Sequence, residues 1–465
     1  MKTSGKRRNN LGEDPISQLL VKFAVPSIIA MLVGALYNIV DQLFIGHYVG
    51  PLGNAATSIA FPLVTSCVAL ALLFGIGGAS CFNLTMGRGE RDIAGNYVGN
   101  AAIMLFFSGL VLCIVTLCLL TPLLKMFGAP GDVLPYAQTY VRITALGFPF
   151  LILTVGGGHL IRADGSPNMA MLCNLSGAIM NVVLDAWFVA GLKMGMAGAA
   201  LATIIGQIFS GVIVIIYLGR YKTVKLTKEQ FLIKGKYIER VVSIGAASFF
   251  NQIAMMVVQV VLNNSFNYYG SKSIYGAAIP LACVGIIVKV NQVFFSMVIG
   301  IAQGSQPIES FNYGAENYTR VRKTFKLAAM SGAVISIISF ILFQTFPDEI
   351  LALFGKGSSE YFEFGRKFFR IFFFCIWADF LQPITSTFFT SIGKPKKGIF
   401  LSLTRQLIFL LPLVLILPRF FGIDGLLFTG SVADGLAFIV TIFMAYLEFK
   451  DMRRLEKEKM QRKEA

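Results

Sequence analysis

Charge is scarce in this chain, and histidine and tryptophan are almost missing from it. Only 14% of its 465 residues are Asp, Glu, Lys or Arg, where a soluble domain carries about 25%. That shortage excludes an ordinary water-soluble globule. The two histidines have no cysteine neighbours at metal-ligand spacing. The seven cysteines, at 67, 81, 113, 118, 173, 283 and 375, lie in apolar runs without a CxxC pair. A zinc centre or a disulfide framework is therefore not expected, and no metal is. There is no cluster of His, Asp and Ser at a membrane face and no Gly-rich phosphate loop, which argues against a lipid-modifying enzyme. The opening MKTSGKRRNNLGEDP runs into an apolar segment without a small-residue cleavage site, so a cleaved signal peptide is not expected.

What the chain has instead is hydrophobicity: 55% of residues, with 42 Phe and 46 Gly. Twelve runs are long enough to cross a bilayer core, which takes about 20 residues. They lie near 23–45, 57–86, 95–122, 133–162, 169–191 and 195–219, then 241–266, 277–308, 324–347, 361–392, 396–418 and 424–448. The predicted fold class is all-α integral membrane, with twelve transmembrane helices. The formal charge of +16 would suggest nucleic acid in a soluble protein, but here its distribution sets topology. Alternate connections hold most of the Lys and Arg: the N-terminal tail, GRGERD, YKTVKLTKEQFLIKGKYIER, TRVRKTFK, GKPKK and the C-terminal tail. The positive-inside rule then places both termini in the cytoplasm, and no nucleic-acid partner is expected.

The two halves repeat, with an offset of about 227 residues. MFGAPGDVLPYAQTYVRI and IRADGSPNM correspond to LFGKGSSEYFEFGRKFFRI and TSIGKPKKG, so that Arg142 pairs with Arg370, Gly165 with Gly393 and Pro167 with Pro395. GMAGAALAT at 195–203 matches GIDGLLFTG at 422–430. Six spans per half make these parallel repeats, related by an axis along the membrane normal. The expected organisation is a cytoplasmic tail (1–22), an N-lobe (23–219), a cytoplasmic linker (220–240), a C-lobe (241–449) and a basic cytoplasmic tail (450–465). Two like bundles facing each other leave a cleft between them, and rocking exposes it to each side in turn.

A charge at the centre of a span costs about 2.5–3.5 kcal/mol on insertion scales, so it faces protein or water. In the N-lobe, Asp41 in LYNIVDQLFIG and Asp185 in NLSGAIMNVVLDAWF lie at similar depth below the outer surface. Helical spacing puts Tyr37, Asn38 and Asp41 on one face of span 1, and Asn174, Asn181 and Asp185 on one face of span 5. Thr203 and Gln207 share a face of span 6. Carboxylates, an amide oxygen and a hydroxyl suit a small cation such as Na⁺. Two carboxylates in a poorly solvated place equally suit a shared proton. The C-lobe does not copy them. It offers Gln252, Met255 and Gln259 on span 7, and Asp379 and Gln382 on span 10, as candidate cleft residues. Lys289, Arg405 and Asp434 read as structural charges, with Lys289 expected to pair with Asp379 or Asp434, and Arg405 with the other. His159, beside GGG at 156–158, reads as structural.

Together, PSIIAMLVGALYNIVDQLFIG, the GIAQGSQPIESFNYGAENYTRVRK stretch (300–323) and the repeated G-x-P turns resemble the multidrug and toxic compound extrusion (MATE) family, in its bacterial Mep-type subgroup. The resemblance covers residues 20 to 450 or so. It implies secondary active efflux of lipophilic, often cationic drugs, by antiport with H⁺ or Na⁺. It implies no cofactor beyond that ion, a multi-pass position in the bacterial plasma membrane, membrane lipid and small organic cations as partners, and a monomer. In the family, the span 1 aspartate, the Asn and Asp of span 5 and the Thr of span 6 form the cation site. Asp41, Asn181, Asp185 and Thr203 match them residue by residue. Thr154 falls near a polar span 4 position, and Asp379 matches a span 10 aspartate used by one branch. That branch's span 7 glutamate is here Asn251 or Gln252, which favours coupling through the N-lobe. A flippase for a lipid-linked precursor is the alternative within transport, although it calls for a cationic cleft.

Overall fold

The computed structural model describes residues 11–129, 131–276, 278–354 and 358–464. The basic residues of the first ten positions, read above as cytoplasmic, lie outside them. Among the described residues there are helices and no strands, as expected where lipid offers the backbone no hydrogen-bond partner. The first six spans are α1 (Ile16–Tyr48), α2 (Pro51–Gly87), α3 (Arg91–Cys118), α4 (Leu134–Ala163), α5 (Pro167–Gly191) and α6 (Gly195–Leu218). They are followed by α7 (Gly235–Ser271), α8 (Ala278–Gly314) and α9 (Tyr318–Thr345). Span α10 is Ser359–Phe372 and Ile376–Ser391, bent by 46°. The last apolar helical stretch, 395–464, is broken at Gly422, whose φ of 59° and ψ of −140° turn the chain back. It therefore supplies two spans, α11 (395–421) and α12 (423–464).

Several helices run beyond the apolar stretches. α1 starts at Ile16 rather than 23, and α7 at Gly235 rather than 241. Hydropathy marks only the lipid-solvated part of a helix, whereas these extra turns are held by protein. Asn312 Nδ2 donates to the Leu11 carbonyl at 2.8 Å, and Arg320 Nη2 to the carbonyls of Leu11 and Asp14 at 3.1 and 2.7 Å. The NYGAENYTR stretch is thus a clamp on the start of α1. In the N-lobe, Asp164 of IRADGSP holds the start of the inter-lobe linker. That carboxylate accepts from Tyr217 Oη at 2.7 Å and from the backbone N–H groups of Lys222 and Thr223 at 2.8 and 2.7 Å.

Lipid-facing stripes are legible as helical repeats of exposed apolar side chains, such as Phe107, Leu110, Val111 and Ile114 on α3 and Val334, Ile337, Ile338 and Ile341 on α9. Two interior cores lie behind them, and they divide unequally. Leu19, Leu20, Phe23 and Ala24 at the start of α1 belong to the C-lobe core, yet Ile45 at its end belongs to the N-lobe core. α7 does the reverse: Val241 and Ile244 pack with the N-lobe, and Val258, Leu262 and Phe266 with the C-lobe. Each lobe therefore lends the first half of its first helix to the other.

The lobes meet closely on the face that carries the two termini. A Cβ on Gly245 would lie 1.8 Å from the Leu73 carbonyl oxygen, and one on Gly77 2.1 Å from that of Val241. On the other side of the pseudo-axis, Gly304 and Gly300 touch the backbones of Ala24 and Ile28. Gly87 and Gly314, 227 positions apart like Gly77 and Gly304, meet the Phe311 and Leu84 carbonyls. Small residues let helix backbones approach where larger ones would hold them apart. Toward the other face the helices part: a Cβ on Gly34 of α1 or Gly285 of α8 would meet nothing within 4 Å. The cleft is closed at the terminus side and open at the opposite side.

Candidate cation site and cleft

Asp41 hangs from the part of α1 that belongs to the N-lobe. It is 8% exposed, and Asp185 of α5 is fully enclosed. Their carboxyl groups lie side by side, close enough to interact directly. The helix changes register at this point: directly after Asp185, Ala186–Gly191 form a π-helical turn. Such turns gather at functional positions because they re-aim side chains and free backbone groups. Asn181, one turn below, donates through Nδ2 to Thr203 Oγ1 at 3.4 Å, leaving its carbonyl oxygen free. Asp41 Oδ1, Asn181 Oδ1 and both Asp185 oxygens are buried without a hydrogen-bond donor. Buried polar atoms are almost always satisfied, and these four oxygens form an acceptor set that suits a proton or a small cation. Tyr37 of α1 and Tyr140 of α4 flank the pair.

Tyr140 carries no mark in the sequence, since one tyrosine among fifteen in a Tyr-rich span entry looks like an interfacial anchor. The other N-lobe candidates spread more widely. Asn38 faces the open cleft and donates to its own helix at Gly34. Asn174 donates to the Ala170 carbonyl, three turns below Asp185. Gln207 Oε1 is buried without a donor and lies against Gly147, at the 3₁₀ turn Ala145–Gly147 within α4. Thr154 is buried, with its hydroxyl unsatisfied.

In the C-lobe, Gln259 Nε2 donates to Asn263 Oδ1 at 2.9 Å on an exposed face, and Met255 is 38% exposed. Both line a cavity of about 90 Å³ with Asn291, Phe295, Arg405 and Gln406. Gln252 is half-buried one turn lower. Gln382 spends its amide on the Leu401 carbonyl at 2.9 Å. Asp379 is committed too, and here the expected pairing differs from what is found. Arg405 alone serves both acids: its Nε lies 2.7 Å from Asp434 Oδ1 and 3.0 Å from Asp379 Oδ1. The π-helical turn Thr404–Leu410 places it between them. Lys289, expected to take one of the two, forms no ion pair among the described residues. A guanidinium has five donors in a planar fork and can satisfy two carboxylates where an ammonium satisfies one.

Arg405→Met leaves two enclosed carboxylates facing each other, and breaking a buried ion pair from one side costs about 3–5 kcal/mol. We expect a clear fall in the unfolding temperature of the detergent-solubilised protein, followed by a thiol-reactive dye, with Arg405→Lys intermediate. An unchanged transition in Arg405→Met refutes the triad's role in stability.

Two further groups escape the sequence. Glu309, inside the quoted QPIES stretch, is fully enclosed in α8, with the Ser305 and Ser391 hydroxyls beside it and neither carboxylate oxygen hydrogen-bonded. Gln306 crosses the closed seam to donate to Ser80 Oγ of α2 at 2.9 Å, and His159 lies beside Gln306 and Arg162. In the sequence Glu309 falls one residue past the apolar run 277–308, but the helix continues to Gly314 and keeps it inside the protein.

A cleft sealed at one end and open at the other is the anatomy of a carrier that works by alternating access, and the duplicated lobes are the two bodies that rock. The protein is a transporter and not an enzyme. Its lineage follows from comparison: the MatE family profile matches residues 26–187 and 247–416, and the chain belongs to that family. It is 24% identical over 449 residues to the multidrug export protein MepA of Staphylococcus haemolyticus, covering 93% of this chain and 94% of that one. It is 23% identical over 437 residues to MepA of Staphylococcus aureus, covering 94% of each. Among solved structures, a multidrug resistance MATE family transporter of the MOP superfamily in its outward-facing conformation superposes with a TM-score of 0.89 at 22% identity, over 96% of this chain and 99% of that one. A MOP superfamily transporter from Pyrococcus furiosus, described as having a binding pocket of reverse polarity, gives 0.89 at 21%, over 96% and 100%. These likenesses establish the twelve-helix fold.

Proposed function

We propose that this protein exports lipophilic cationic compounds across the bacterial plasma membrane by antiport with H⁺ or Na⁺, working as a monomer with both termini in the cytoplasm. The observation that carries the reading is the set of four buried, unsatisfied oxygens of Asp41, Asn181 and Asp185, placed where α1, a helix shared by both lobes, packs on α5. On this reading the face bearing the termini is cytoplasmic, and the cleft described above opens outward. A proton or Na⁺ entering from outside neutralises one of the two charges of the Asp41–Asp185 pair, with Thr203 Oγ1 available as a further ligand for Na⁺. Neutralisation removes the repulsion between the two carboxylates and changes how the outer half of α1 packs on α5. Because the inner half of α1 is docked in the C-lobe, a shift at Asp41 is transmitted to the inter-lobe seam, with Pro26 interrupting one helix hydrogen bond on the way. Methionines and aromatic side chains along the cleft give an adaptable apolar wall, and aromatic faces attract organic cations. Kinship to proteins named as multidrug exporters supports the substrate class.

The test is dye uptake into everted membrane vesicles, with a pH gradient and a Na⁺ gradient imposed separately. Ethidium accumulation is expected under at least one gradient and not in vesicles lacking the protein. Accumulation that ignores both gradients sinks the reading.

A further inference from the structure

Lys289 is left over once Arg405 has taken both C-lobe acids. It lies in the outer half of α8, half-buried, without an ion pair or hydrogen bond among the described residues. A lysine inside a span faces either a partner or water, so the direction it points decides its role.

Helical geometry fixes that direction. At 100° per residue, Lys289 shares a face of α8 with Gly285, Gln292, Ser296, Gly300 and Gln303. The lower end of that face is the contact with α1: Gly300 meets Ile28, and Gln303 Nε2 lies 3.8 Å from Met31 Sδ. Above this contact the helices part, and Gly285 and Gln292 are exposed. This face carries Lys289 and Gln292, polar side chains that lipid tails do not solvate, with Leu281, the one large apolar side chain exposed on α8 among the described residues, at its outer end. It looks across the open cleft at α1. Lys289 is eleven residues above Gly300, or about 16 Å at 1.5 Å per residue. On α1, Asn38 and Asp41 are ten and thirteen residues above Ile28, or about 15 and 20 Å. Lys289 therefore stands across the cleft from the exposed Asn38, with the enclosed acidic pair behind it at a similar depth.

We propose that the cleft is bipolar and that Lys289 is a specificity-determining residue, which binds an anionic group, a carboxylate above all, on substrates whose cationic end faces the N-lobe. The preferred substrates are then lipophilic zwitterions rather than simple cations. This rests on the export reading above. A carboxylate supplies the ion pair that no side chain among the described residues provides, and the amides of Gln292 and Gln259 can share it without adding charge. A substrate bearing only positive charge meets an unpaired ammonium instead, and like charges in a poorly solvated cleft repel.

The experiment uses the full chain in proteoliposomes and two dyes that share one cationic ring system: rhodamine 110, with a free carboxylate, and its methyl ester rhodamine 123. Wild type is expected to show the lower apparent KM for the free acid. Lys289→Met should raise that KM about tenfold or more, the size of one lost charge-assisted hydrogen bond, while leaving the ester unchanged or improved. Lys289→Arg should retain the preference. Equal effects on both dyes, or none, overturn the proposal. A Lys289→Met protein that fails to insert leaves the wild-type comparison, where a lower KM for the ester overturns it equally. If wild type moves neither dye under any gradient, the export reading falls instead.

Discussion

Asp185→Asn is expected to reduce gradient-driven export to the background of protein-free vesicles, and Asp41→Asn to come close to it. Both changes keep shape and volume while removing a site for a proton or a metal cation. Asp185 is the more enclosed of the pair, and both its oxygens lack donors, so it has nothing to do structurally that asparagine would fail to do. Loss of transport with preserved expression and preserved binding of the dye then separates coupling from folding. Because the two carboxylates act on one ion, the double variant should be no worse than Asp185→Asn alone. Residues acting as a unit are grossly non-additive in this way. Wild-type transport in both single variants removes the N-lobe from the coupling mechanism and turns attention to Glu309, the other enclosed carboxylate without a hydrogen bond.

The second large effect is expected from Gly245→Val. Here the added side chain meets backbone, the Leu73 carbonyl at 1.8 Å from the new Cβ, and not a side chain that could swing aside. Forcing extra atoms into a packed contact costs about 1–3 kcal/mol, which converts to a population shift of about 5- to 150-fold. The cost falls only on the state with the terminus side closed. The variant should therefore favour the opposite opening, stop turnover, and expose the seam between Ser80 and Gln306. The readout is labelling of Ser80→Cys by an impermeant maleimide from the terminus side, in a background with the native cysteines replaced. Gly304→Val, which meets Ala24 in the pseudo-symmetric counterpart of the Gly77 contact, should act alike, and Gly34→Ala, which meets nothing within 4 Å, should not. Unchanged labelling of a folded Gly245→Val protein refutes the seam as the closing surface.

Much of this is legible before any coordinates. The twelve spans follow from hydropathy, and the duplication follows from the G-x-P turns and the matched arginines. Asp41 and Asp185 can be brought together on depth and helical spacing alone, because both are local properties of a helix. What does not follow is whatever depends on partner choice between distant helices. Hydropathy ends α1 at its lipid boundary and misses the turns from Ile16 that the C-lobe holds. Charge counting offers Arg405 and Lys289 as equal partners for two acids. Only the π-helical turn at Thr404–Leu410 decides that one guanidinium serves both and the lysine none. Tyr140 and Glu309 are missed for opposite reasons, the first because tyrosine at a span entry is ordinary, the second because a motif was weighed as a signature and not residue by residue.

The exchange of half-helices between the lobes bears on how the chain is made. α1 leaves the ribosome well before α8, but the surface that receives Leu19, Phe23 and Ala24 is built by α8 and its neighbours, which emerge more than two hundred residues later. Until then the opening helix has only its outer half to settle by. Contacts so distant in sequence are slow to form, so assembly of the first lobe stays provisional until the eighth span arrives. A half-length chain, although it contains a full repeat, would lack the wall on which its own first helix closes.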